Sequence, residues 1–194
     1  MHGKQFPASK ANKLDDPVRE EWIQTPEVLS LLAVRPGEAI ADVGAGTGYF
    51  SLPLAQAAGP TGKVYAIDSQ AEMLTRIGHK LEQAAFTNIE LIHAEADRTA
   101  LPDDSCDLFF LSNIWHEIED RIAVLRESLR VLRAGGRIAI LDWRTDVEPV
   151  AGPPLDHRIS ASQAGTALNF VGFNQIVLAE AGRYHWLAQA VKQD

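Results

Sequence analysis

The chain has 194 residues, 46% of them apolar and 23% charged, and its 18 basic against 26 acidic side chains give a formal charge of −8. That is the size and composition of one globular domain, which excludes wholesale disorder, and the acidity argues against a large nucleic-acid footprint. The single cysteine, Cys106, excludes an internal disulfide and a cysteine-rich zinc site and suits a reducing cytoplasm. With no signal-peptide core and no run approaching about 18 apolar residues, the sequence reads as a cytoplasmic protein without a membrane span.

Residues 1–34 read as an N-terminal arm with a short helix. The polar stretch 1–21 is either a flexible arm or a lid over a ligand. A helix follows with Thr25 as N-cap, Pro26 at its first position and an apolar stripe of Val28, Leu29, Leu31 and Leu32, stopped by Arg35-Pro36-Gly37. From residue 35 strands and helices alternate. Strand 39–43 runs into Gly44-Ala45-Gly46-Thr47-Gly48, and a helix carrying Phe50, Leu54, Ala55 and Ala58 ends at Gly59-Pro60. Strand 63–68, a helix over 70–85, strand 88–93, strand 107–111, a helix over 119–132 and strand 137–142 complete the alternation. A turn-rich stretch at 148–154 precedes a weak helix over 162–170. Strands 174–178 and 183–191, joined through 180–182, form an antiparallel hairpin. The pattern predicts a doubly wound α/β fold with a Rossmann-like seven-stranded sheet, mostly parallel, closed by a C-terminal antiparallel hairpin.

The glycines after the first strand fall at 44, 46 and 48, and position 49 is Tyr, so the dinucleotide fingerprint G-x-G-x-x-G is absent. Asp42 stands just before this turn. A carboxylate there is awkward beside a pyrophosphate but suits an ammonium or sulfonium ligand. Asp68 ends the second strand, where an acid can accept from both hydroxyls of a ribose.

Asp42-Val43-Gly44-Ala45-Gly46-Thr47-Gly48-Tyr49-Phe50 resembles the first motif of class I S-adenosylmethionine-dependent methyltransferases, and Asp68 falls where that family keeps its ribose-binding acid. Ala94-Glu95-Ala96-Asp97, Leu111–Glu117 and Leu129–Gly136 resemble the later motifs, in order and from about residue 35 onward. The likeness is greatest to small bacterial members of the branch that includes quinone-biosynthesis and arsenite methyltransferases. It implies that residues 35–194 form the S-adenosylmethionine-binding domain, with S-adenosylhomocysteine as product. Gly44, Ala45, Gly46 and Gly48 would line the methionyl part, with Asp42 near its amino group. Asp68 would hold the ribose, Ser69 and Met73 would flank the adenine, and Ala96 and Asp97 would contact its edge. Asn113 and Ile114 would lie beside the sulfonium. Met73, alone on an apolar helix face, is equally a core residue.

Methyl transfer from a sulfonium needs alignment and exclusion of water, and a general base only where the acceptor must lose a proton. His116 is the candidate base, with Glu117 to orient it or to bind a cationic acceptor; a loop histidine that shapes the pocket is the plain alternative. Position 120 is Asp, so no H-E-x-x-H motif exists, and no metal is expected even with His157 considered beside His116 and Glu117. Tyr49, Trp115, Trp143 and Trp22 are candidate walls of an acceptor pocket. One cysteine is too few for arsenite chemistry, and Ser112-Asn113-Ile114-Trp115 differs from the Asn-Pro-Pro-Tyr type tip of nucleic-acid amino methylators. The reading is methyl transfer to a small-molecule acceptor. A non-catalytic S-adenosylmethionine or S-adenosylhomocysteine-binding regulator is the alternative, and a nicotinamide-dependent oxidoreductase is disfavoured by Tyr49.

Overall fold

In the segment Cys106–Ser112, Leu108 and Phe110 enter one core while Phe109 and Leu111 enter another, and all four are fully buried. Such a strand must lie inside a sheet covered on both faces. A computed structural model, describing residues 6–84, 86–148 and 152–193, shows that sheet. Its strands are β1 (Ala39–Val43), β2 (Lys63–Asp68), β3 (Ile89–His93), β4 (Cys106–Ser112), β5 (Leu132–Trp143), β6 (Asn174–Ala181) and β7 (His185–Val191). They lie in the order β3-β2-β1-β4-β5-β7-β6. The first five are parallel, while β7 runs antiparallel between β5 and β6. This is the predicted α/β sheet.

Helices α1 (Glu20–Ile23), α2 (Thr25–Leu32) and α3 (Ser51–Ala58) cover one face, burying Ile23, Val28, Leu32 and Leu54 against Ile40, Val64 and Leu187. Helix α4 (Ala71–Gln83) seals the β2–β3 end through Leu74 and Ile77. On the other face α5 (Arg121–Val131) and α6 (Ala161–Val171) pack Val124, Leu125, Ala164 and Leu168 onto Phe109, Ile138 and Ile140. Asp120 caps α5, accepting from the Ala123 N–H at 2.9 Å, and Ser160 with Gln163 forms a capping box on α6. None of the helices among the described residues is long and apolar enough to cross a membrane.

Several boundaries differ from expectation. Thr25 does not cap α2: the chain enters through Gln24 at φ 50°, and the Thr25 hydroxyl donates instead to Glu20 and lies 3.0 Å from the Tyr49 hydroxyl. Strand β5 begins at Leu132 rather than 137, because Leu132 pairs with Cys106 before the Gly135-Gly136 turn shifts the register. The hairpin turn sits at 182–184 instead of 180–182, since Ala181 still pairs with His185. Part of the turn-rich stretch, 149–151, lies outside the described residues, as do residues 1–5.

At the amino end of the sheet Arg137 of β5 forks onto Glu38 (2.7 and 2.8 Å), and Arg35 adds a third contact at 2.8 Å. Burial alone would raise the Glu38 carboxyl, but these partners outweigh it and bring it down to about 2. The clamp ties β5 to the entrance of β1 and leaves the carboxyl ends of the strands free to form a site.

Candidate active site

The carboxyl ends of β1 and β4 part where the strand order reverses, which is where open α/β sheets hold ligands. The turn after β1 takes Gly44, Gly46 and Gly48 through φ values of 72°, 56° and 82°. An added Cβ on Gly44 would meet Ile114 Cδ1 at 2.6 Å, so the bare backbone lets the β4 tip lie across the loop.

Asp68, at the tip of β2, accepts from Gly46 N–H at 2.8 Å with one oxygen and from Gln70 N–H at 2.9 Å with the other. Each carboxylate oxygen keeps a further acceptor position, so a pair of vicinal hydroxyls could still be bound. Burial raises the Asp68 carboxyl above its ordinary range, against the two backbone donors. Asp42 is more enclosed: 1% exposed, it accepts from the Ser51 hydroxyl at 2.6 Å, and burial pushes its carboxyl up to about 7. It therefore sits beneath the glycine turn as a braced group whose charge a cationic neighbour would restore.

The remaining predicted cofactor residues divide. Ala45 is buried in the α4 contact, and Met73 is 2% exposed, its side chain enclosed like a core residue. The Ser69 carbonyl lies 2.9 Å from His93 Nε2. Ala96 is half-buried, and Asp97 is exposed in the tight Glu95–Arg98 turn after β3. Asn113 stands at φ 58° beyond β4, and its buried Oδ1 has no hydrogen-bond partner among the described residues. A strained backbone holding an unmet acceptor is the kind of feature found where a ligand completes the bonding.

His116 lies on the turn after β4 and is 7% exposed. Its Nδ1 is 2.8 Å from Asp142 Oδ1, and Asp142 Oδ2 accepts the His116 backbone N–H at 2.9 Å. Burial would lower the imidazole, but Asp142, then Glu117, raise it above 6.5. Glu117 Oε1 is 3.7 Å from His116 Nε2, and burial pushes the Glu117 carboxyl up to about 7. His157 is exposed and does not join this pair, and among the described residues no three metal-ligating side chains gather. Trp115 is wholly enclosed, the Trp143 and His185 rings lie tilted at 42° with centroids 4.2 Å apart, and the Trp22 carbonyl lies 3.2 Å from His185 Nδ1. Tyr49 is held by Glu20 and Arg19.

Sequence reasoning missed one element of the site and left a second open between a flexible arm and a lid. Asp142 was only a strand end, although it occupies on β5 the tip position that Asp42 and Asp68 occupy on theirs. The second is the segment 6–15, which includes the 3-10 turns of Ala8–Leu14 and spans the glycine turn. Phe6 N–H donates to Glu117 Oε2 at 3.1 Å, while Gln70 receives from Ala8 N–H and donates to the Phe6 carbonyl, both at 3.0 Å. Asp15 accepts from Thr47 at 2.6 Å and from Lys80 at 2.7 Å.

The model of the ubiE/COQ5 methyltransferase family matches residues 18–193. The chain belongs to that family. It is 30% identical over 161 residues to the ubiquinone/menaquinone biosynthesis C-methyltransferase UbiE of Hahella chejuensis, covering 82% of this chain and 61% of that protein. It is 35% identical over 116 residues to the demethylmenaquinone methyltransferase of Listeria welshimeri, covering 60% and 49%. The chain thus spans about half to three-fifths of these curated relatives. A crystal structure of a SAM-dependent methyltransferase from Aquifex aeolicus matches with TM-score 0.91 and 32% identity, over 97% of this chain and 100% of that one. Fold and family together place the chain in the quinone-biosynthesis-like branch of the class I S-adenosylmethionine-dependent methyltransferases.

Proposed function

We propose that this protein transfers a methyl group from S-adenosylmethionine to a small-molecule acceptor of the quinone-precursor class, in the cytoplasm, leaving S-adenosylhomocysteine. The observation that carries the reading is the set of two acids, Asp42 and Asp68, flanking a triple-glycine turn at the point where the strand order reverses. The names of the family's quinone-methylating members support the acceptor class.

The residues present fit the cofactor. Asp68 has acceptor capacity left for a ribose, and Asp42 suits an ammonium. Asn113 Oδ1 is unmet, and the glycine turn gives close backbone approach. Ser69, Ala96 and Asp97 are the residues left to border the adenine, since Met73 is enclosed in the core, and Ile114 lies over the turn. The cofactor supplies a methyl group on a good leaving group, so the protein's work is to align the acceptor and exclude water. Residues 6–15 act as the lid that excludes it, latched through Gln70, Thr47, Lys80 and Glu117. His116 receives a proton from the acceptor, and Glu117, beside it, lines the acceptor's entry.

Asp68→Ala tests the cofactor assignment. Loss of charge-assisted hydrogen bonds at about 1.5–3 kcal/mol each should weaken S-adenosylmethionine binding by about tenfold or more in calorimetric titration. An unchanged affinity removes the assignment.

A further inference from the structure

Asp142 accepts only from N–H groups. Its Oδ1 takes the Trp143 backbone N–H at 2.7 Å and its Oδ2 the His116 backbone N–H at 2.9 Å, while His116 Nδ1 lies 2.8 and 3.0 Å from the two oxygens. The carboxylate is 1% exposed at the carboxyl end of β5, and two backbone donors fix its plane. A neutral imidazole so placed keeps its proton on Nδ1, because the carboxylate can only accept. The lone pair of Nε2 is therefore left bare. Nε2 makes no hydrogen bond to Glu117, whose Oε1 is 3.7 Å away and whose Oε2 is occupied by the Phe6 N–H. It borders the place where the lid segment meets the β4 tip.

We propose that Asp142 is a positioning residue that locks His116 in the Nδ1–H tautomer, so that Nε2 acts as general base and commits the site to acceptors carrying an acidic O–H or C–H. The inference rests on the methyltransferase reading above. The acceptor's proton passes to Nε2, and the electron pair it leaves forms the bond to the transferred methyl carbon. The pair of the broken carbon–sulfur bond stays on sulfur. Asp142 does not itself take the proton; its charge stabilises the imidazolium that forms.

The surrounding charges agree with this assignment. Facing His116 are Asp142 from β5, Glu117 on its own turn and Arg121 at the start of α5, while Asp68 from β2 acts on Glu117. His185, on the neighbouring β7, is pushed down to about 4 by burial, so it stays neutral and does not compete for Asp142. Arg158 lies close enough to feel the same carboxylate.

The decisive variant is Asp142→Asn. Its Oδ1 can still accept from a backbone N–H, but its amide nitrogen can only donate to Nδ1, which moves the imidazole proton to Nε2 and abolishes the base. Two-bond nitrogen–proton correlation spectra of the histidine rings read the tautomer without any acceptor. The wild type should show His116 as Nδ1–H above its titration, and Asp142→Asn as Nε2–H. A wild-type Nε2–H signal overturns the proposal. Calorimetry with S-adenosylmethionine runs alongside. Binding within twofold in both proteins is expected, and its absence in the wild type would tell against the cofactor reading and not against the tautomer.

With reduced demethylmenaquinone of shortened side chain as acceptor probe, kcat should fall by about 100-fold or more in Asp142→Asn, with KM little changed. The acid limb of the wild-type pH profile should disappear, and His116→Ala should regain activity with added imidazole. Asp142→Asn within threefold of wild-type kcat, or transfer confined to amine or thiol acceptors, overturns the proposal. A merely structural brace at Asp142 would, when replaced, lower thermal stability and cofactor affinity together and leave the His116 tautomer unchanged.

Discussion

Phe6 donates its backbone N–H to Glu117 Oε2 at 3.1 Å, joining two residues 111 positions apart, one on the N-terminal segment and one beside His116. The latch is completed by Gln70, which holds that segment at two backbone atoms. Replacing Gln70 by Ala removes both of these bonds, at about 1 kcal/mol each. The open form of the lid should then become about thirtyfold more populated. Amide exchange at Ala8 should quicken, and S-adenosylhomocysteine should dissociate faster in stopped-flow displacement. Exchange and dissociation rates equal to wild type would mean that Gln70 does not latch the lid.

Glu117 also makes the ligand-free protein sensitive to pH. Its carboxyl, at about 7 when folded against an ordinary value of 4.5, holds a proton that the unfolded chain releases. Stability therefore falls as pH rises from about 4.5 through 7. Asp42, at about 7, and the raised His116 act in the same direction. Glu117→Gln should flatten the decline by about 2–3 kcal/mol between pH 5 and 8 in urea unfolding. A variant with the wild-type slope would assign the effect to the other two groups.

The alternation of strands and helices along the chain, the reversal at the hairpin and the acids at two strand tips were legible because each rests on local pattern: apolar runs, glycine spacing, a carboxylate at the end of a strand. Asp142 was not legible as a partner. Its meaning depends on β4 and β5 being neighbours in register, with Ser112 beside Leu141, so that the next turn brings His116 over the β5 tip. The N-terminal segment stayed undecided between arm and lid for a related reason. Ala8–Leu14 has no apolar period to reveal it, and its order comes from Gln70, Thr47 and Lys80, all on other elements. Met73 shows the opposite case, where an apolar helix face identified a core position directly.

Gly44 has no room for a side chain. At φ 72°, Ala would cost about 1 kcal/mol in backbone strain, and its Cβ would press on Ile114 at 2.6 and 2.8 Å for about 1–3 kcal/mol more. Gly44→Ala should lower unfolding stability by about 2–4 kcal/mol. The same change made in an Ile114→Ala background should cost only the backbone part. Equal losses in both backgrounds would show that Ile114 is not what crowds the turn.

Arg137→Met tests the clamp at the opposite end of the sheet. It leaves the 6% exposed Glu38 with only the exposed Arg35. A loss of about 2–3 kcal/mol at pH 7 is expected, below the usual cost of orphaning a buried ion because Arg35 remains. Glu38 stabilises the fold above its ordinary 4.5, and that contribution is lost as pH falls through about 2. The variant should therefore reach its acid transition at higher pH than wild type. An acid limb at the wild-type position would remove the clamp from this account.

The placement of β7 between β5 and β6 bears on how the chain is made. During synthesis the outer edge of β5, with Ile138, Ile140 and Leu141, has no strand beside it until residues 185–191 have emerged. For the roughly forty residues between them, a nascent chain displays an apolar strand with open hydrogen-bonding groups, the form most prone to pairing with a neighbour. Because β7 must slot in from the side, native assembly waits on the last part of the hairpin, and a chaperone that shields β5 would act in that interval.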